Sequence, residues 1–296
     1  MNDLLLCVGP ERFRSTFMQN WESDGERVLF VTEERPQSPG SIARLESYCR
    51  TAAADKVSAV LLLVPKRCSP QKALPGPTIG GLPAGLMPAD QPEDLEAWLE
   101  ARRQKTAGVG AGIMAMWRRS YLSLGARFHR WLEAGSYGTI ENWFANEMNC
   151  HEVCRRIAAG ARLVLYLGHG RSEGLSAYLG LRWSDVVAVR KFRPCCSMIA
   201  FACDTVKRET KLPFGCRMVC SARALSYFGS TAAVPLRANA QLASLAGQQF
   251  AGGRVRNLAE LVRGLDAMTQ TSPRLQAARQ AFQSFRIIGN PLEQFA

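Results

Sequence analysis

Two stretches of sequence decide the fold: LVLYLGHG at residues 163–170 and SMIAFACD at residues 197–204. Each is a short apolar run that ends in a reactive polar side chain, His169 in the first and Cys203 in the second. Runs of this kind predict strands buried in a parallel sheet. Because ligands bind beyond the carboxyl ends of such strands, we expect both side chains at one edge of the sheet.

The first hundred residues also contain short apolar runs of this kind. Apolar runs at 4–8, 28–32 and 57–64 predict three strands, and helical spacing between them predicts crossover helices. This alternation is typical of an α/β fold with a mostly parallel sheet. Residues 65–92 are rich in Pro and Gly and predict a loop or linker.

The same patterns predict the elements of the second half. Helices are predicted at 114–132, 150–159, 217–226, 238–251 and 258–268, and further strands near 232–234 and at the start of FRIIGNP, residues 285–291. The Gly-rich break at 108–113 lacks a complete phosphate-binding signature, so no nucleotide site is predicted there.

Composition narrows the class of protein. The chain has 296 residues, 47% of them apolar, and a formal net charge of +12 at pH 7. This charge favours acidic partners such as nucleic acid, but the Arg and Lys residues are scattered, which is typical of a solvated basic surface. We find no run of 18 apolar residues and no signal-peptide pattern. We therefore expect a cytoplasmic protein without a membrane span, its ten cysteines reduced.

A thiol beside an imidazole is the arrangement used in nucleophilic catalysis. The thiolate is the nucleophile, and His169 would take the proton of Cys203 and later donate it to the leaving amine. The backbone N–H groups of Gly170 and Cys203 would form an oxyanion hole. Gly170 suits this place because a side chain there would block the substrate carbonyl.

LYLGHG and IAFACDT resemble the His-Gly and Ala-Cys motifs of the caspase and gingipain clan. Further stretches are similar, in order, to segments of gingipain-type cysteine peptidases: residues 4–34, 41–64, 80–103, 215–234 and 285–291, the last with Asn290 in place of Asp. The resemblance implies a caspase-like three-layer α/β/α sandwich, mostly parallel, in two side-by-side subdomains. The smaller would span residues 1–105, including the linker, and the catalytic one residues 106–296.

The resemblance also implies an activity. It is that of a cysteine endopeptidase, a hydrolase that performs limited proteolysis of a protein substrate through a thioester, with no metal or organic cofactor. A co-encoded bacterial effector or pore-former is one such substrate. The loop at residues 66–79 is short and lacks an acidic segment that could set arginine specificity, so the substrate preference does not carry over.

Four residues are candidates for substrate binding: Asp204, Glu173, Trp183 and Tyr178. Acidic side chains, with Asp185 as a further one, would select a basic residue before the scissile bond. Trp183 and Tyr178 could equally line an apolar pocket, and the sequence leaves the two options open.

Three alternatives remain open. The chain could be a catalytically silent relative that serves as a binding or regulatory module, or a nucleic-acid-binding α/β protein. Two cysteine clusters, Cys150-His151-x-x-Cys154 and Cys216-x-x-x-Cys220, invite a zinc site, but their spacings are not those of a common zinc module. His129 and His151 lie in predicted helices and are weaker catalytic candidates than His169.

Overall fold

The computed structural model describes residues 3–21, 27–52, 57–104 and 110–295. In these ranges the strands are β1 (Leu4–Gly9), β2 (Arg27–Thr32), β3 (Val57–Val64), β4 (Thr78–Ile79), β5 (Leu82–Pro88), β6 (Ala111–Ala115), β7 (Ile140–Phe144), β8 (Leu163–Leu167), β9 (Gly170–Arg171), β10 (Gly174–Leu175), β11 (Leu181–Arg182), β12 (Cys195–Phe201), β13 (Ala224–Ser230) and β14 (Phe285–Gly289).

The helices of the same ranges are α1 (Arg14–Asn20), α2 (Pro39–Ala52), α3 (Pro70–Ala73), α4 (Pro92–Arg103), α5 (Arg119–Ala134), α6 (Cys150–Ala158), α7 (Trp183–Val187), α8 (Phe214–Cys220), α9 (Leu236–Ala251), α10 (Leu258–Gln270) and α11 (Gln276–Phe282). Short 3₁₀ turns cover Glu11–Phe13 and Pro273–Leu275. No helix in the described ranges is both long and apolar enough to cross a bilayer.

One large sheet forms the centre of the molecule. Its strand order is β2-β1-β3-β5-β14-β13-β12-β8-β6-β7, and β4 pairs with β5. The neighbours are parallel except for the antiparallel pairs β13–β14 and β4–β5. The closing strand β14 lies between β5 and β13 and thereby joins strands from the two halves of the chain into one sheet.

Helices cover both faces of this sheet. Every residue of β5, β6, β8, β12, β13 and β14 is buried, which requires cover above and below. The helices pack in two groups. In one, α9 contacts α5, α10 and α11; in the other, α4 contacts α1 and α8. The result is the expected α/β/α architecture with a mostly parallel sheet.

The structure corrects the prediction for residues 65–92. This Pro- and Gly-rich stretch is not a loop throughout, because it contains α3, β4 and β5, and β5 is a fully buried central strand. Its Gly85 is required by close packing, since a Cβ there would lie 2.3 Å from the carbonyl oxygen of Gly289. A glycine that signals a turn in isolation here allows two strands to approach.

Two further predictions were wrong in part. The helix predicted at 114–132 begins only at Arg119, because its first residues belong to β6; residues 108 and 109 of the preceding Gly-rich break lie outside the described ranges. The helix predicted at 217–226 ends at Cys220, and the strand that follows is β13 rather than a strand near 232–234. In both places the apolar residues of a buried strand also fit a helical pattern.

Candidate active site

The two sequence-predicted catalytic residues lie at neighbouring strand ends. β8 and β12 are adjacent and parallel, with Leu167 paired to Phe201 at the last rung. His169 and Cys203 each follow two residues later and are both partly exposed. The register of the two strands therefore brings both residues to the carboxyl edge of the sheet at the same height.

The residue after the histidine packs directly on the cysteine. A Cβ built at Gly170 would lie 2.6 Å from the carbonyl oxygen of Cys203 and 2.6 Å from Cγ2 of Thr205. These distances are too short for a real side chain, so only glycine allows this contact. The backbone at residues 169–170 is thus held against the backbone at Cys203.

The small sheet β9–β10–β11 fixes the orientation of this backbone. Ser176 donates its N–H to the carbonyl of His169 at 2.9 Å, and Gly170 is paired with Leu175 one step further along. Because hydrogen-bonded and non-hydrogen-bonded pairs alternate in an antiparallel ladder, the N–H of Gly170 points away from β10. The N–H of Gly170 is therefore not used for pairing within this small sheet.

A buried tyrosine hydroxyl also holds the histidine backbone. Tyr166, fully buried on β8, donates its O–H to the carbonyl of His169 at 2.7 Å and accepts the N–H of Ala177 at 3.2 Å. Burial raises the pKa of Tyr166, so the hydroxyl stays protonated and remains a donor. The turn that carries His169 is therefore held by the Tyr166 side chain of β8 as well as by β10.

The cysteine sulfur contacts the loop that precedes α9. Val234 donates its N–H to Sγ of Cys203 at 3.3 Å, and the thiol in turn contacts the carbonyl of Val234 at 3.6 Å. The first of these contacts persists when the sulfur is a thiolate, because it requires only an acceptor. The segment predicted as a strand near 232–234 thus serves as a support for the candidate nucleophile.

Tyr121 is a third side chain at the site, and no sequence pattern pointed to it. It lies on α5, is 6% exposed, and meets the ring of His169 edge to face. Burial raises the pKa of Tyr121, so its hydroxyl is neutral at pH 7.

Two of the predicted substrate-binding residues lie near this centre. Asp204 adopts a left-handed conformation, with φ of 56°, and its carboxylate lies 3.8 Å from Nζ of Lys207. Glu173 is exposed in the turn between β9 and β10, where it lines an open pocket of about 480 Å³ with Arg171 and Arg182. Each carboxylate therefore has basic neighbours.

The other two candidates are more strongly tied to the scaffold. Tyr178 is 5% exposed and donates its hydroxyl to the carbonyl of Trp143. Trp183 begins α7 and packs against the hydrophobic core. The carboxylate of Asp185 caps the same helix by accepting the N–H of Arg182 at 2.7 Å, and together with Tyr178 it lines a groove of about 830 Å³.

Each cysteine cluster has one buried member, Cys154 or Cys216, and one partly exposed member, Cys150 or Cys220. Burial raises the pKa of Cys150 to about 11 and of Cys154 to about 12, and burial likewise raises the pKa of Cys220 to about 12. Such thiols are protonated at neutral pH. Across the described parts of the chain, no three His, Cys, Asp or Glu residues are grouped so that they could hold a metal ion.

The arrangement of sheet, helices and strand-end loops defines a class. The chain has the caspase-like fold of gingipain-type cysteine proteinases. No protein-family model matches the sequence, and no curated protein matches it. The fold similarity therefore comes from structure.

Three solved structures show the extent of that similarity. The Arg-specific cysteine proteinase gingipain R matches with a TM-score of 0.76 and 12% identity, over 99% of this chain and 78% of that one. The complex of Porphyromonas gingivalis RgpB pro- and mature domains matches with a TM-score of 0.74 and 12% identity, over 98% of this chain and 79% of that one. The Saccharomyces cerevisiae separase–securin complex matches with a TM-score of 0.57 and 10% identity, over 84% of this chain and 17% of that one.

Proposed function

We propose that the protein is a cysteine endopeptidase in which Cys203 is the nucleophile and His169 the general acid and base. The observation that carries this proposal is the packing of Gly170 on Cys203 at the ends of two adjacent parallel strands, with Tyr121 packed against the ring of His169. The fold, shared with proteinases named for cysteine chemistry, supports the same assignment.

The reaction follows from the groups present. His169 takes the thiol proton, and the thiolate of Cys203 attacks the carbonyl carbon of the scissile bond. The N–H groups of Gly170 and Cys203 donate to the oxyanion that forms. His169 then donates the proton to the leaving amine, which departs and leaves a thioester on Cys203. Water, activated by the same imidazole, hydrolyses the thioester and restores the thiol.

A protein is the substrate that suits this site. The candidate residues lie at the sheet edge between open surface features, among them the groove lined by Tyr178 and Asp185. An extended segment of a partner protein could lie across this edge, which favours limited proteolysis at exposed loops. All ten cysteines are free, which supports action in a reducing compartment such as the cytoplasm.

Covalent labelling tests the proposal. The protein is incubated with a panel of acyloxymethyl ketone peptide probes, and the modified residue is located by mass spectrometry. The expected result is an adduct on Cys203 that disappears in Cys203→Ala and is greatly reduced in His169→Ala. Cys68→Ala is the matched control, because Cys68 is another partly exposed free thiol and its removal should leave labelling unchanged. Labelling spread over several cysteines, or cleavage of a peptide library by Cys203→Ala at the wild-type rate, would refute the assignment.

A further inference from the structure

A cavity of about 290 Å³ lies at the carboxyl edge of the sheet, between α5 and α9. Its walls include Tyr121 and Leu124 from α5, the strand-end residues Leu167 and Phe201, and Leu236 with Asn239 from α9. The volume suits one large side chain rather than an extended ligand.

The cavity lies beside the candidate catalytic pair. Tyr121 packs against the ring of His169. Leu167 and Phe201 each lie two residues before the reactive side chain of their strand, and Leu236 lies two residues after Val234, whose N–H contacts the sulfur of Cys203. A peptide whose scissile carbonyl sits at the sulfur can therefore place its neighbouring side chain here.

The lining is mainly apolar. It contains no Asp or Glu, and its charged group is Arg237, which is exposed. Leu236 is 53% exposed, so a large apolar side chain at the cavity is accessible to solvent. A bound apolar side chain would remove this surface from water.

One polar group in the lining has an unused acceptor. Asn239 is 6% exposed and donates Nδ2 to the carbonyl of Phe201 at 2.8 Å. Its Oδ1 is buried and has no hydrogen-bond partner among the described residues. A buried acceptor without a donor is costly, and because the side chains of Leu, Met and Phe carry no donor, a water molecule in the cavity would satisfy it.

We infer that this cavity receives the P1 side chain, on the acyl side of the scissile bond, and that it selects an uncharged, mainly apolar residue such as Leu, Met or Phe. The inference rests on the proposed peptidase function. A P1 arginine would bring its guanidinium into a cavity without a carboxylate and beside Arg237. A P1 aspartate would desolvate its charge against apolar walls, with only the exposed Arg237 to compensate.

The test compares four probes that differ only in P1: Leu, Phe, Arg and Asp. The expected result is Cys203 labelling with Leu or Phe at least about 10-fold faster than with Arg or Asp, the scale that hydrophobic pockets achieve. Equal rates, or a fastest rate with Arg or Asp, would overturn the inference while leaving the peptidase proposal intact. Failure of every probe to label Cys203 would overturn both.

Two variants link the preference to this cavity. Ser120→Asp places a carboxylate in the lining at an exposed position in the first turn of α5, where an acidic residue is tolerated, and should raise the Arg-probe rate selectively. Leu236→Ala should slow the Leu and Phe probes. Val187→Ala, which removes a similarly exposed apolar side chain from α7, should change neither. Unchanged selectivity in both cavity variants would place the P1 site elsewhere.

Discussion

The ring of Tyr121 meets the imidazole of His169 edge to face, with centroids 5.6 Å apart and planes at 82°. Tyr121 is held on α5 and almost fully buried, whereas His169 follows the end of a strand. The pKa of Tyr121 is raised, first by burial and then by Cys203, so the phenol is neutral across the working pH range. The tyrosine ring therefore limits, by packing, the positions that the imidazole can adopt.

Replacing Tyr121 tests this positioning role. Tyr121→Ala removes the ring and should lower kcat/KM by about 10²-fold, the scale expected when a catalytic group is displaced by about 1 Å. Tyr121→Phe keeps the ring and should remain close to wild type. Steady-state kinetics on a peptide substrate, with circular dichroism to confirm folding, measures both. A Phe variant as impaired as the Ala variant would assign the effect to the hydroxyl instead.

The three histidines of the chain provide an internal comparison. His169→Ala should lower kcat by about 10²–10⁴-fold, the usual contribution of a general acid–base group. His129 contacts Asn142 and Glu133 on the far side of α5, and His151 lies on α6, so their alanine variants should retain activity. Comparable losses in all three variants would show that His169 has no special role.

Gly170→Ala tests the close contact between the histidine turn and Cys203. Its Cβ would overlap the carbonyl of Cys203, so the variant should lose labelling of Cys203 and about 1–3 kcal/mol of stability. Gly40→Ala is the control, because its Cβ would approach only the guanidinium of Arg44, at 3.7 Å. Thermal unfolding and probe labelling, measured together, separate the stability loss from the loss of reactivity. A fully reactive Gly170→Ala protein would contradict the geometry.

The strands that carry continuous apolar runs could be predicted from sequence. β1, β3, β8 and β12 each consist mainly of apolar residues, and the predicted bounds agree with the observed ones within three residues. Such runs occur because both faces of a parallel sheet are covered, so few polar residues interrupt them. This is why the α/β architecture could be inferred before the structure was known.

β5 and β13 could not be found in this way. β5 has the sequence LPAGLMP, whose Pro and Gly residues normally end strands, and it is stable only because β3 and β14 pair with it on either side. β13 has the sequence ALSYFGS, with two buried serines that bond within the sheet region rather than to water. Both strands depend on tertiary contacts that a local pattern does not contain.

The site was predictable to the extent that it lies on strands. The positions of His169 and Cys203 at one sheet edge follow from the carboxyl ends of two apolar runs. Tyr121 and Val234 come from α5 and from a loop, and only the packing of distant segments brings them to the site. A single sequence does not show how distant segments pack against each other, so neither residue could be selected beforehand.

The first turn of α4 should give a measurable pH dependence of stability. Burial raises the pKa of the Asp94 carboxyl, but hydrogen bonds from Lys66 and from the N–H groups of Asp90 and Gln91 outweigh it, and the pKa is lowered from its usual 3.8. A depressed pKa in the folded state means that the carboxylate stabilises the protein above pH 4. That contribution is lost as the pH falls through the lowered value.

Asp94→Asn should therefore reduce the free energy of unfolding by about 1 kcal/mol at pH 7, the usual scale of a helix cap. The difference from wild type should shrink as the pH falls below 4. Urea denaturation at a series of pH values measures it. Glu96→Gln, on the exposed face of the same helix, is the control and should follow the wild-type curve. A constant difference at all pH values would show that shape rather than charge is responsible.

A buried ion pair joins α4 to the C-terminal segment. Nε of Arg102 lies 2.7 Å from Oε2 of Glu293, with the side chains 2% and 0% exposed, and the guanidinium stacks on Trp21. Removing one partner leaves the other charge buried, so Glu293→Leu and Arg102→Met should each cost about 3–5 kcal/mol. The double variant Arg102→Met/Glu293→Leu should cost far less than the sum of the two single losses, because no uncompensated charge remains.

Urea unfolding of the wild type, the two single variants and the double variant completes the cycle. Arg50→Ala, from an exposed pair with Glu46, is a control expected to lose at most about 0.5 kcal/mol. Additive losses would mean that the two side chains act on stability independently, against the contact described.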